Sequence, residues 1–114
     1  MYPDIDEARE HHAALKQLVE HAGAGSDYRA LRRVLELCRR AAAAVEDTYC
    51  RDKLRMVEDF AAEMLSREGE REHFLKRQIL AALELFHSRL YSMESMRRAA
   101  ARIRSKSLEA LRSY

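Results

Sequence analysis

The feature that most constrains this chain is its final stretch, residues 70–114, which contains no glycine and no proline. Apolar residues recur along it at three- and four-residue steps: Leu75, Ile79, Ala82, Phe86, Leu90, Met93, Met96, Ala100, Ile103, Leu108 and Leu111. That is the period of one face of an α-helix. Unbroken, the run is roughly 65 Å long at 1.5 Å per residue, far more than a small domain requires. Within it, residues 79–86 are apolar almost all round, and the part beyond Ser92 is basic.

Nothing upstream offers a competing architecture. β-branched residues are few and scattered among Arg, Glu and Ala, so no alternating strand emerges. With three glycines, one proline and 35% charged residues in 114 positions, the composition is that of long helices in a single all-α domain, residues 1–114. Two cysteines, Cys38 and Cys50, form no CxxC pair. On one helix they stand about 18 Å apart, too far to bridge. The chain shows no export signal and no apolar run of membrane-spanning length, so the expectation is a cytoplasmic protein with no membrane role.

Charge is unevenly spread. Residues 1–26 carry two basic and five acidic side chains, net −3, and residues 27–68 balance at nine of each. Residues 92–114 carry six basic and two acidic side chains, net +4.

Helix boundaries follow from caps and breakers. Asp4, with Glu7 three residues later, has the spacing of a capping box, and Gly23-Ala24-Gly25-Ser26 ends the first helix. A second helix starts near residue 27 and meets a C-terminal glycine at Gly69. The expected helices are 4–22, 27–67 and 70–112. The stretch Glu46–Lys53 is polar apart from Tyr49 and Cys50, and Asp47-Thr48 could cap a new helix there, but no Gly or Pro forces a break. Continuity is therefore expected.

Two helices of about forty residues joined at Gly69 make an antiparallel hairpin. The first helix then folds back over residues 28–45, its acidic side chains beside the basic end of the last helix. In that arrangement it cannot reach Tyr49–Leu90, and the all-round apolar stretch lacks cover. The expected solution is a second copy, a dimeric helical bundle with Ile79, Leu80, Leu83, Phe86 and Leu90 at the interface. The alternative is a monomeric four- or five-helix bundle with breaks near Asp47-Thr48 and Ser92–Ser95.

Three constellations bear on function. The basic end, Arg97, Arg98, Arg102, Arg104 and Lys106, could contact an acidic protein or nucleic-acid phosphates. It could equally be a solvated helix end whose charge suits the dipole. Glu70…His73 and Glu84…His87 have the Glu-x-x-His spacing of di-iron bundles. They lie about 21 Å apart on one helix and share no site, so no metal or other cofactor is expected. Arg67 and His73 are spaced five residues apart, which resembles the Arg-x(4–6)-His element of HEPN-type ribonucleases. Seventeen arginines supply such pairs by chance, and this one straddles a turn at Gly69. No phosphate loop, nucleophile elbow or zinc-protease motif occurs.

The expected function is non-enzymatic: a helical protein–protein interaction module, such as a small adaptor, chaperone or regulator. It would bind a partner segment through apolar helix surface and itself form a homodimer. The alternative is a nucleic-acid-associated protein using the basic C-terminal helix, and the third reading is a metal-binding bundle.

Overall fold

The computed structural model of the chain describes residues 5–21, 28–66 and 71–112, and every element among them is an α-helix. α1 is Ile5–His21, α2 Tyr28–Ala44, α3 Thr48–Ser66 and α4 Glu72–Arg112. The Asp4 cap, the Gly23–Ser26 turn, Arg67, Gly69 and Glu70 lie outside the described residues.

The helix expected over 27–67 is two helices, and the reason is Asp47. Its carboxylate accepts the Cys50 backbone N–H at 3.0 Å, which is how a residue just before a helix satisfies an orphan donor of the first turn. The same carboxylate takes two hydrogen bonds from Arg89, at 2.9 and 3.3 Å, a bidentate charge-assisted pair. The Arg89 guanidinium holds the Asp47 carboxyl down at about 2. On the other side of the corner, Arg51 Nε donates to the Val45 carbonyl at 2.6 Å, satisfying an acceptor that α2 leaves open. The break thus needs neither glycine nor proline, because side chains satisfy the backbone groups that it frees.

This corner folds α3 back along α2, and the rest of the topology follows. Arg39 pairs with Glu58 at 3.1 Å between α2 and α3. Arg71 pairs with Glu63 at 3.6 Å where α3 gives way to α4. Arg9 pairs with Glu94, and Lys76 reaches the Glu20 carbonyl at 3.0 Å, so α1 runs antiparallel to α4. Each helix packs on two neighbours, α1 on α2 and α4, α3 on α2 and α4, in an up-down-up-down four-helix bundle.

Helix α1 therefore covers the part of α4 that it was expected to miss. Ile79, Leu83, Phe86 and Leu90 are at most 1% exposed, inside the chain's own core, and Leu80 packs against that core half-buried. The surface proposed for a second copy is closed by α1 and α3, because the corner at Asp47 shortens the hairpin and lets α1 lie beside residues 76–94. The acidic first helix consequently lies beside the bundled half of α4 and not beside its basic end. Glu94, buried between Arg9 and Arg98, joins the two regions.

No break occurs at Ser92–Ser95. Helix α4 continues to Arg112, and from Ser95 to Arg112 every residue is exposed except the half-buried Ala99. This overhang of 18 residues is about 27 Å long, close to the length of the bundle itself. It stretches the molecule to 69 × 21 × 20 Å and the radius of gyration to 18.1 Å, against about 13 Å for a compact chain of this size.

Candidate interaction surface

A helix of 18 residues standing in water is marginal on its own, so the side chains of the overhang bear directly on what it is for. Met96 is 48% exposed, Ile103 67%, Leu108 52% and Leu111 73%. Six basic residues against Glu109 give residues 95–112 a net charge of +5. Arg98 is drawn back to the bundle by Glu94 at 2.9 Å. The sequence-predicted basic residues Arg97, Arg98, Arg102, Arg104 and Lys106 are all exposed here.

The exposed apolar surface extends beyond the overhang in one direction only. The large hydrophobic side chains that remain exposed, Tyr49, Met56, Phe74, Leu85, Tyr91, Met96, Ile103, Leu108 and Leu111, all belong to α3 and α4. Among the described residues α1 and α2 present none. Tyr49 and Met56, one heptad apart, share a face of α3. Tyr49 lies beside Leu85, Ser88 and Ser92 in a groove between α3 and α4, with the Lys53 ammonium 5.0 Å from its ring centroid. At the far end Arg71, in a left-handed backbone conformation with φ 59°, lays its guanidinium over the Phe74 ring at 4.6 Å.

Along α4 part of this surface is a stripe, from which Tyr91 and Leu108 lie at least about 100° away around the helix. Phe74, Leu85 and Met96 follow one another at intervals of eleven residues, as do Ala81, Ser92 and Ile103, and Ser88, Ala99 and Ala110. Eleven residues are close to three full turns, so the stripe stays nearly straight, about 54 Å from Phe74 to Ala110, and none of these residues is charged. It begins in the groove beside α3 and continues onto the overhang.

The polar cluster on the opposite flank of α4 is of another kind. His12 of α1 stacks on His87 at 4.6 Å between ring centroids and touches Phe86 at 6.1 Å. It is 8% exposed, and its Nε2 has no hydrogen-bond partner. Burial, then the neighbouring His87 and Lys16, push its pKa below 6.5, against the opposing pull of Glu84 and a hydrogen bond to the Leu83 backbone. With the folded pKa depressed, the unfolded chain takes up this proton first. The His12 contribution to stability is full above pH 6.5 and is lost as the pH falls from there through the folded value. Urea midpoints measured from about pH 7.5 to 5.5 should therefore fall more steeply for the native chain than for His12→Leu.

Neither Glu-x-x-His pair builds a metal centre. Glu84 and His87 are exposed, Glu70 lies outside the described residues, and no group of three or more His, Cys, Asp or Glu among the described residues is placed to hold a metal ion. Both cysteines are buried, and burial pushes each thiol up to about 12, which leaves no reactive thiolate near neutral pH. Among the described residues no helix is long and apolar enough to cross a membrane.

Sequence reasoning located the basic patch but missed the α3–α4 face. The eleven-residue spacing of Phe74, Leu85 and Met96 was the available signal. It was masked because Leu85 was counted with the all-round apolar stretch that the core absorbs. A second basic surface was hidden by averaging: α2 carries five arginines against Glu36, net +4, offset in the count for residues 27–68 by the acids that follow it. No protein-family model, no curated protein and no solved structure matches the chain.

Proposed function

We propose that this protein is a non-enzymatic helical interaction module, a small adaptor, chaperone or regulator, whose working surface is the α3–α4 face with its overhang. The observation that carries the reading is that, among the described residues, the exposed large hydrophobic side chains lie on α3 and α4, four of them on the overhang. Exposed apolar side chains gathered on one face and edged by polar residues mark sites of protein association. An amphipathic helix face is recognised through anchors at three- and four-residue steps, and the surrounding cations steer acidic partners and set the on-rate.

Leu85→Asp and Ile103→Asp test the reading, because both residues are exposed and lie outside the buried core. A protein retained from the native host by the wild-type chain should be lost by both variants, with the helical circular dichroism of the bundle retained. Equal retention by wild type and variants would contradict it.

The +5 charge of the overhang supports a second reading, a nucleic-acid-associated protein contacting phosphates through Arg97, Arg98, Arg102, Arg104 and Lys106. Capture of a random DNA duplex that weakens steeply with salt, unaffected by Leu85→Asp, would replace the first reading with this one.

A further inference from the structure

We propose that one occupant of the α3–α4 face is a second copy of this chain, bound antiparallel about a two-fold axis through Ser92, each overhang lying along the other bundle as a fifth helix. The proposal rests on the interaction-module reading and names the partner of that surface.

Length is the first argument. The overhang, residues 95–112, spans 18 residues, and the bundled helices α1, α2 and α3 span 17, 17 and 19. An antiparallel pair centred on Ser92 therefore sets each overhang beside the whole of the other bundle, with the two bundles end to end. The exposed lengths on both chains are used up and neither protrudes.

Shape is the second. In such a pair, residues equidistant from Ser92 face each other. Ile103 then meets Ala81, Met96 meets Ser88 and Leu85 meets Ala99, a large residue against a small one at each step. Alternating large and small residues lets facing helix surfaces interdigitate. A two-fold interface must be self-complementary in this sense, since the same patch serves both chains. The eleven-residue spacing keeps the stripe in register along its length.

Charge selects the direction. A parallel pair would lay one +5 overhang against another, with Lys106 at the edge of the stripe beside its own copy, and like charges juxtaposed oppose association. The antiparallel pair separates the overhangs and brings each beside α3, which exposes Asp52 and Asp59 together with Arg51 and Arg55 and is close to neutral instead of +5. Tyr49, at the edge of the groove with Leu85 and Ser88, becomes part of the contact.

Light scattering and engineered cysteines test this together. The native cysteines are buried, so introduced ones are the reactive thiols among the described residues. Wild type at micromolar concentration should have twice the chain's 13.3 kDa mass, and Ile103→Asp should have the single-chain mass with the helicity of the four-helix bundle retained. Mild oxidation should crosslink the Ala81→Cys, Ile103→Cys double variant between chains, since within one chain these positions are about 33 Å apart on α4. Ile103→Cys alone should not crosslink. A single-chain wild-type mass overturns the second-copy proposal, as does crosslinking through Ile103→Cys alone, the mark of a parallel pair. If host capture by the α3–α4 face persists in a chain of single mass, the interaction-module reading stands without the dimer; if capture is absent as well, both fall.

Discussion

Leu83→Asp is expected to unfold the bundle, whereas Ile103→Asp, twenty residues further along the same helix, is expected to leave it folded. Leu83 is 1% exposed among the largest fully buried side chains of the core, with Phe86, Leu90 and Leu54. A carboxylate there loses its hydration and gains no partner. The chain must bury an unpaired charge, protonate it, or open. The lost apolar contacts alone cost about 2–5 kcal/mol by analogy with large-to-small core changes, and the desolvated polar group adds several more. A domain of this size has a total stability of about 5–15 kcal/mol, so the variant should lack a cooperative thermal transition by circular dichroism at 25 °C and above. Ile103, 67% exposed, contributes nothing to the core. Its replacement should remove only the part of the melting temperature that rises with protein concentration, the mass-action signature of association. A cooperative Leu83→Asp transition near the wild-type temperature would show that the core is not where the structure places it.

The contrast divides α4 into two parts with different physical obligations. From Leu75 to Met93 it is one wall of the bundle, covered by α1 and α3. From Ser95 onward it is helix with a solvent-exposed apolar stripe. How much of this was legible in the sequence depends on how local the cause was. The all-helical class and the extents of α1 and α4 came from period and breakers, which act over a few residues. The buried positions of α1, Ile5, Ala8, His12, Leu15 and Val19, step at three and four residues, a period readable from the local sequence.

The corner between α2 and α3 was not legible, because half of its cause is remote. Asp47 and Thr48 were recognised as a possible cap. What settles the break is the pair with Arg89, forty-two residues away, and the Arg51 bond to Val45 across the corner. Neither glycine nor proline marks it. Missing that corner led to a forty-residue hairpin, left α1 on the wrong side, and left Ile79–Leu90 without cover. One local decision thus produced both the misplaced acid–base pairing of α1 with the C-terminus and the assignment of core residues to an interface. Arg97, Arg98, Arg102, Arg104 and Lys106 are exposed, the default outcome for charged residues whatever the topology.

The exposed apolar face of α3 and α4 was half legible. Met96, Ile103 and Leu111 were identified as the apolar face of the last helix, but their continuity with Leu85, Phe74 and Tyr49 depends on which side of α4 the core occupies. Once α1 and α3 are placed, the residues left over define the face. Tyr49 and Met56 belong to it only because the corner at Asp47 puts the start of α3 beside Arg89.

The central claim is that the overhang is stable as helix only while its apolar stripe is covered, and residue-resolved hydrogen exchange in native buffer measures this directly. Amides of residues 75–90 should exchange slowly in wild type and in Ile103→Asp alike, since the bundle protects them in both. Amides of residues 97–110 should be protected in wild type at high concentration and should exchange at least about tenfold faster in Ile103→Asp, as expected for a marginal isolated helix. Equal protection of residues 97–110 in the two proteins would mean that the overhang needs no partner surface, and would contradict the account.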